Sequence, residues 1–396
     1  MTARPSIAVL GLARTPFGRF GGALRDVDVR DLGAFAIANA VERAGVDPDA
    51  VDEVILGVNF PGSRRSVARQ ASLRAGLRDS LNAVTVDRAC CSSLTAVRLA
   101  SQSLRTGDTS LAVAGGAENL SAVPYFLETA RFGNRLGPIV LDDHLVISCP
   151  HTGVPRAVQA ADEAIALGID RAAQDDWAAR SHELYWAAAD AAPFEEIVPV
   201  SAGTLPAATD LAADESPRRE VDRAKLASLP TVNGSATVTA GNAPGLSTGS
   251  AALVLADSTR LPPRTSVIGR FIGFGTASGP APRIGHTPAV AARLALERAG
   301  IGLADIAVIE INEAFAAVPL VATLALADGD PSVADKLRAR TNLRGGAVAI
   351  GHPTGASGAR LVMSAIAALR ERGGGLALVA ICGGVAEAEA LVVEVA

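Results

Sequence analysis

Apolar residues follow two different patterns along the chain. Short continuous apolar runs predict buried strands, and they lie at residues 6–12, 51–57, 83–86, 111–119, 236–239, 251–256 and 308–311. Between these runs, apolar residues recur every three or four positions, which predicts helices at residues 31–43, 66–75 and 171–191. Gly45 follows the first of these helices as its expected C-cap. Strands and helices that alternate in this way indicate an α/β protein.

One stretch combines a strand end, two cysteines and a helix start. The strand at 83–86 leads to Cys90 and Cys91, and a helical pattern begins at Leu94. A cysteine in this position lies near unpaired backbone N–H groups and the positive end of the helix dipole, and both favour the thiolate. The same N–H groups can hold the oxygen of a bound acyl group. The alternative is a pair of unreactive cysteines, because free cysteine often packs as a small buried hydrophobe.

The last third of the chain repeats the first. Residues 40–46 (AVERAGV) match residues 295–301 (ALERAGI), and residues 113–118 resemble residues 381–387. A repeat of this length indicates two similar α/β halves. The counterpart of the cysteine helix falls near residues 351–360, so a pseudo-two-fold axis would bring both helix starts to one crevice, where α/β folds place their sites. The repeat therefore makes Cys90, His352 and Cys382 candidates for a single site.

The composition changes between the two halves. Aromatic residues and histidines are concentrated in residues 121–191, and residues 193–230 are rich in loop-forming residues. This change indicates an inserted domain that carries ligand contacts. We therefore expect three parts: residues 1–120, completed by residues 235–262; an inserted loop domain at 121–234; and a second half at 263–396.

The net charge restricts the possible partners. The 396 residues carry a formal net charge of −5 and have a sequence pI near 5.6, which argues against nucleic-acid binding. No apolar run reaches the ~18 residues of a membrane-spanning helix, and the N-terminus shows no signal-peptide pattern. The four cysteines lack a metal-binding spacing, so we expect free thiols in a cytoplasmic protein.

Seven stretches together resemble the thiolases, the family of acetyl-CoA acetyltransferases and 3-ketoacyl-CoA thiolases. They are residues 14–18 (RTPFG), 90–94 (CCSSL), 115–119 (GGAEN), 237–243 (TVTAGNA), 312–316 (NEAFA), 345–353 (GGAVAIGHP) and 382–384 (CGG). Each stretch is a weak signal alone, but all of them in the family's order form a specific one. The resemblance implies the thiolase fold: two similar βαβαβαββ halves in a layered αβαβα arrangement, with a loop domain inserted into the first. It also implies a homodimer or a homotetramer.

The resemblance also implies the roles of the candidate catalytic residues in acyl exchange between thioesters and thiols. Cys90 would be the nucleophile, and His352 would accept its proton. Cys382 would move the proton at the α-carbon. Asn312 would fix a water that forms one oxyanion hole together with His352. The backbone N–H groups of Cys90 and Gly384 would form the other.

The implied substrates are acyl-CoA and free CoA, without a bound cofactor or a metal. The resemblance places His151 near the reacting sulfur and Arg218 and Arg219 on the nucleotide phosphate. The residues that would line the pantetheine tunnel are Ala240, Gly241, Ala314 and Phe315.

The chain departs from the family pattern after His151. The family usually reads Met-Gly-x-Thr-Ala-Glu-Asn there, whereas residues 152–158 read TGVPRAV. Pro244 replaces a serine that touches pantetheine, and Arg344 precedes the Gly-Gly pair. None of these changes removes a catalytic group, and they favour a thiolase specialised for one pathway over a housekeeping enzyme.

Two other functions stay open from the sequence. A decarboxylating ketoacyl synthase shares the fold but uses Cys-His-His or Cys-His-Asn sets, so Cys382 and the stretch at 312–315 favour a thiolase. The other is a non-catalytic acyl-CoA-binding partner subunit, which Pro244 and the lost Ala-Glu-Asn triplet favour and the intact catalytic candidates oppose. Neither the acyl chain length nor the direction of the reaction follows from the sequence.

Overall fold

The computed structural model describes residues 6–128, 130–146 and 148–396. Its strands are β1 (Ile7–Arg14), β2 (Gly18–Arg19), β3 (Glu53–Gly57), β4 (Asn82–Val86), β5 (Leu111–Asn119), β6 (Ser247–Asp257), β7 (Gly269–Ser278), β8 (Val308–Ile311), β9 (Gly375–Cys382) and β10 (Glu387–Val395). Its α-helices are α1 (Val29–Ala44), α2 (Val67–Arg74), α3 (Ser92–Thr106), α4 (Arg156–Ala166), α5 (Arg171–Ala191), α6 (Arg223–Ser228), α7 (Thr287–Ala299), α8 (Ala317–Leu326), α9 (Pro331–Arg338), α10 (Ala347–Ile350) and α11 (Ser357–Arg370).

Four strands follow the same order in each half, and the first half has one more strand at its edge. In the first half the order is β4-β3-β5-β6-β1, with β4, β3 and β5 parallel and β6 and β1 antiparallel. In the second half, β8 and β9 are parallel, followed by antiparallel β10 and β7. An isolated bridge between Ile309 and Thr341 stands where the second half would have the counterpart of β4. β1 pairs with β7, Ile7 opposite Phe271, so strand pairing continues from one half into the other.

The helices lie in layers around these strands. α3 packs on β3, β5 and β6, α11 packs on β8, β9 and β10, and the two helices pack on each other as the central layer. α1 and α7 cover the outer faces of the first and second halves. A Cβ on Gly358 would lie 2.7 Å from the backbone nitrogen of Leu94, so only glycine permits this approach of α11 to α3. The layered arrangement of two similar halves is therefore confirmed.

The long segment between β5 and β6 packs on the second half. α4 packs on α8, and α5 packs on α10. The bounds of α5 are those predicted from periodicity. No helix in the described ranges has the length and hydropathy needed to cross a membrane.

The predicted strand at 236–239 is wrong. Thr239 makes only an isolated bridge with Thr231. The amide side chain of Asn242 explains this, because its Oδ1 accepts from the backbone N–H of Thr239 at 2.8 Å and its Nδ2 donates to the carbonyl oxygen of Thr237 at 3.1 Å. These bonds satisfy the backbone locally in a turn, in place of a strand partner.

Candidate active site

Cys90 lies on a sharp turn between β4 and α3. Ala89, just before it, has φ of 49°, in the left-handed region that alanine rarely adopts. The hydroxyl of Ser92 accepts from the backbone N–H of Arg88 at 2.9 Å and donates to the carbonyl oxygen of Ala89 at 2.6 Å. These bonds hold the turn, so the partly exposed Cys90 stands directly before the helix start.

A cavity of about 940 Å³ opens above this turn. Six of the residues proposed from the sequence line it: Cys90, Ala314, Phe315, His352, Cys382 and Gly384. They come from both halves of the chain, as the internal repeat predicts. Cys91 is fully buried instead, and its thiol donates to the carbonyl oxygen of Ile381 at 3.5 Å.

Hydrogen bonds fix the ring of His352 in one orientation. Nδ1 lies 2.7 Å from the hydroxyl of Ser357, which itself donates to the carbonyl oxygen of Pro353 at 3.0 Å. The hydroxyl must therefore accept the Nδ1 proton, and this leaves Nε2 as the proton acceptor. Nε2 lies 3.4 Å from Nδ2 of Asn312. The backbone N–H of His352 donates to Ser247 at 3.1 Å.

Burial keeps His352 neutral. Desolvation, together with the positive charge of Arg360, lowers the pKa of His352 from 6.5 to about 3. A neutral imidazole at physiological pH can accept a proton, so the lowered pKa makes the ring available as a base.

Both cavity cysteines are thiols in the free protein. Burial raises the pKa of Cys90 well above its usual range, and the proximity of Cys382 adds to this. Burial also raises the pKa of Cys382, to about 12. The positive charge of Arg156 opposes both shifts without reversing them. The thiolate expected at the helix start therefore has to be formed by proton transfer to a base.

The buried carboxylate of Glu118 joins the two halves beneath the site. It accepts from the backbone N–H groups of Asn59 at 3.1 Å, Phe60 at 2.9 Å and Gly355 at 3.0 Å. It also accepts from the hydroxyl of Thr354 at 2.6 Å. Glu118 thus fixes the segment after His352 against the segment after β3. The sequence identified the stretch at 115–119 but not this role, because the pattern does not show which loops meet.

The carboxyl group of Glu313 connects the inserted segment to the second half in a similar way. One oxygen accepts from Trp177 Nε1 and from Asn342 Nδ2, both at 2.9 Å. The other accepts from Ser181 Oγ at 2.8 Å and from the backbone N–H of Val348 at 2.9 Å. A Cβ on Gly346 would lie 2.2 Å from this carboxyl group, so glycine is required beside it. Glu313 therefore ties α5 to α10, which precedes His352.

Five of the proposed CoA contacts do not line this cavity: His151, Arg218, Arg219, Ala240 and Gly241. His151 lies on an exposed turn next to Pro150, which does line the cavity. Arg219 pairs with Asp190 at 2.9 Å and stacks on the ring of Trp186. Gly241 packs against Leu226 and Leu229. The backbone N–H of Arg218 donates to Nδ1 of His182 at 3.1 Å. The roles of these five residues in binding CoA stay predictions.

Two family models account for the chain. "Thiolase, N-terminal domain" matches residues 7–259, and "Thiolase, C-terminal domain" matches residues 265–395. The chain belongs to the thiolase family and is an acyltransferase. It is similar to the β-ketoadipyl-CoA thiolase of Pseudomonas knackmussii, with 40% identity over 415 aligned residues that cover 98% of each chain. It is also similar to the acetyl-CoA acetyltransferase of Escherichia coli, with 37% identity and 98% of each chain covered.

Solved structures confirm the fold. The acetyl-CoA acetyltransferase of Bacillus anthracis superposes with a TM-score of 0.93 at 33% identity, and all of both chains is covered. Human mitochondrial 3-ketoacyl-CoA thiolase in complex with CoA also gives a TM-score of 0.93, at 31% identity, with 100% of this chain and 99% of that chain covered.

Proposed function

We propose that the protein makes or cleaves a 3-ketoacyl-CoA by Claisen chemistry, through an acyl group carried on Cys90. The observation that carries the proposal is the convergence of Cys90, His352 and Cys382 on one cavity. The two cavity thiols and the neutral imidazole supply a nucleophile, a base and a second acid/base group.

The steps in the cleavage direction follow from the protonation states. Nε2 of His352 takes the proton of Cys90, and the thiolate attacks the 3-keto carbonyl carbon. The bond between the α- and β-carbons breaks, and the Cys382 thiol donates its proton to the α-carbon as acetyl-CoA leaves. Free CoA then gives its thiol proton to the Cys382 thiolate, and its sulfur attacks the acyl carbon. The bond from that carbon to Cys90 Sγ breaks, and the proton on His352 returns to Cys90. Condensation is the reverse sequence, so the same residues support either direction.

Two oxyanion sites complete the proposed mechanism. The backbone N–H groups of Cys90 and Gly384 would hold the thioester oxygen, and a Cβ on Gly384 would lie only 2.9 Å from that of Ala89. Oδ1 of Asn312 is buried and has no hydrogen-bond partner among the residues that the structure describes. It can therefore hold a water that shares the enolate oxygen with His352.

The proposal also covers the substrates, the oligomeric state, the location and the metabolic role of the protein. CoA thioesters and free CoA are the substrates, which is supported by the relative solved with CoA. A homodimer or homotetramer and a cytoplasmic location also belong to this proposal, as does a role in fatty-acid or lipid metabolism. The four free cysteines agree with a reducing compartment.

Mass spectrometry after incubation with acetyl-CoA tests the proposal. We expect an acetyl group on Cys90 in the wild type, no acetyl group in Cys90→Ala, and an acetyl group in Cys91→Ala, which serves as the matched control. Thiolysis of acetoacetyl-CoA and of longer 3-ketoacyl-CoAs should be lost in Cys90→Ala alone. Folded wild-type protein that stays unacylated would indicate the acyl-CoA-binding subunit. Activity that requires a malonyl thioester would indicate the ketoacyl synthase.

A further inference from the structure

The cavity contains a cationic side chain that the proposed mechanism does not use. Arg156 is the first residue of α4, is 7% exposed, and lines the cavity with Cys90 and Cys382. Its Nη1 donates to Oε1 of Gln159 at 2.7 Å, whereas its Nε has no hydrogen-bond partner in the described part of the chain. Arg88, which also lines the cavity, pairs with Glu387. No carboxylate among the described residues pairs with Arg156 in this way.

A buried charge without a counter-charge is unusual, because removing an ion from water is costly unless a partner compensates for it. The start of α4 adds positive potential to the same wall. Ala157 lines the cavity beside Arg156, and Pro155 caps the helix without a side-chain hydrogen bond. The unpaired guanidinium and the helix start therefore both favour an anion at this wall.

This wall lies close to the reacting groups. Nη2 of Arg156 is 3.6 Å from the position that a Cβ would take on Gly384, beside the proposed thioester oxyanion site. The charge of Arg156 also acts on the thiols of Cys90 and Cys382. Nε and Nη2 form the edge of a guanidinium that pairs with both oxygens of a carboxylate. Nε is buried in this structure, whereas Nη2 lies beside the oxyanion site. An acyl group on Cys90 would therefore place its carboxylate on Nη2, and pairing with the full edge would require a small rotation of the guanidinium.

We propose that Arg156 binds a carboxylate at the far end of the acyl group, so that the enzyme selects CoA thioesters of dicarboxylic acids. This inference rests on the proposed function. In the transfer step, the bond from Cys90 Sγ to the acyl carbon forms and the bond from that carbon to the sulfur of CoA breaks. The proton of Cys90 passes through His352 to the departing CoA thiolate. Arg156 keeps its proton and acts only on the distant carboxylate.

Succinyl-CoA and butyryl-CoA form a matched pair of four-carbon donors with and without the carboxylate. The measurements are CoA release and the mass of the acyl group on Cys90. We expect the wild type to favour succinyl-CoA in kcat/KM at least about 10-fold, and Arg156→Met to reduce succinyl transfer roughly 10- to 100-fold more than butyryl transfer. Arg156→Lys, which keeps the charge and loses the fork, should give an intermediate ratio.

Two further variants make the test specific. Gln159→Glu supplies a resident carboxylate to Arg156 and should lower the preference for succinyl-CoA while the arginine stays in place. Arg283→Met serves as the control, because Arg283 lines a separate cavity on another side of α4. Gln159→Glu and Arg156→Lys keep the test valid if Arg156→Met fails to fold.

The possible outcomes distinguish failure of the carboxylate site from failure of the proposed function. Equal loss of succinyl and butyryl transfer in Arg156→Met, or no preference in the wild type, would overturn the carboxylate site. If the wild type is acetylated on Cys90 but does not prefer succinyl-CoA, this inference fails and the proposed function stands. If no acyl-enzyme forms with any thioester, the proposed function itself fails.

Discussion

At the scale of single residues, burial determines the protonation states of the site. Desolvation lowers the pKa of His352 to about 3, and burial with the nearby charge of Arg218 lowers that of His182 to about 4. Both rings are therefore neutral in the folded protein, whereas in the unfolded chain they take up protons below about pH 6.5. Neutral imidazole is the state that the proposed proton transfer from Cys90 requires.

This difference predicts how folding stability depends on pH. A histidine whose pKa is lower in the folded state stabilises the protein least in acid, since the unfolded chain binds the proton that the native state excludes. The free energy of unfolding should fall as pH drops from about 6.5 towards about 3. His352 should contribute up to about 1.4 kcal/mol per pH unit of this loss. His352→Asn should therefore unfold in urea with a shallower dependence on pH than the wild type.

The control for this experiment is His151→Asn, which removes an imidazole from an exposed turn. Urea midpoints and m-values measured at several pH values between about 5 and 7 separate a change in slope from a uniform loss of stability. Identical slopes for the wild type and His352→Asn would contradict the lowered pKa, even if the variant were less stable overall.

At the scale of secondary-structure elements, the position of the base depends on how α5 meets α10. Glu313 accepts four hydrogen bonds there, from Trp177, Ser181, Asn342 and Val348. Glu313→Gln replaces one acceptor oxygen by an N–H donor that faces other donors. We expect a loss of about 1–3 kcal/mol in the free energy of unfolding and a fall in thiolysis, because α10 leads directly to His352.

Glu183→Gln is the matched control, because Glu183 lies on α5 near Ser181, which binds Glu313, but pairs with Arg223 at the exposed surface. An exposed pair contributes about 0–1 kcal/mol, so this variant should stay close to the wild type. Equal effects of the two substitutions in thermal unfolding and thiolysis would contradict the role of Glu313.

The secondary-structure elements also show which structural features the sequence can predict, and why it cannot predict the others. The local sequence is sufficient for α5, since its 21 residues are rich in alanine and contain no glycine or proline. It fails at 236–239, where the side chain of Asn242 competes for the backbone. In the sequence, Arg344 is only a departure from the family pattern. In the structure it is buried, pairs with Glu196 and Glu371, and lies over the ring of Phe194. Such partners are distant in the chain, so no local pattern reveals them.

The catalytic candidates could be predicted from the sequence, whereas the role of the cavity wall could not. Cys90, His352 and Cys382 could be proposed together because an internal repeat and a family signature both mark them. Arg156 lies in the stretch that departs from the family pattern, but the sequence does not show its importance, since this comes from the absence of a paired carboxylate among the described residues. The sequence thus indicates the type of reaction, whereas the acyl group depends on tertiary contacts that only the structure shows.

At the scale of the whole molecule, the sheet leaves one edge uncovered. β4 is the outer strand of the first half and pairs with β3 alone in the described structure, and Val84 on it is 46% exposed. An open edge strand offers unpaired backbone groups to a second chain. A second exposed apolar feature is the loop at 130–146, where Phe132 and Leu136 are each 94% exposed. Large exposed apolar surfaces of this kind mark association sites.

These two surfaces predict two levels of assembly, a dimer through β4 and a tetramer through the loop. Val84→Asp places a carboxylate on the edge strand, so light scattering after size-exclusion chromatography should give the mass of a monomer. Phe132→Asp should reduce a tetramer to a dimer and leave a dimer unchanged, because β4 is intact. Val333→Asp, on the exposed side of α9, controls for the introduced charge. A monomeric wild type, or a Val84→Asp variant with the wild-type mass, would show that β4 is not an interface.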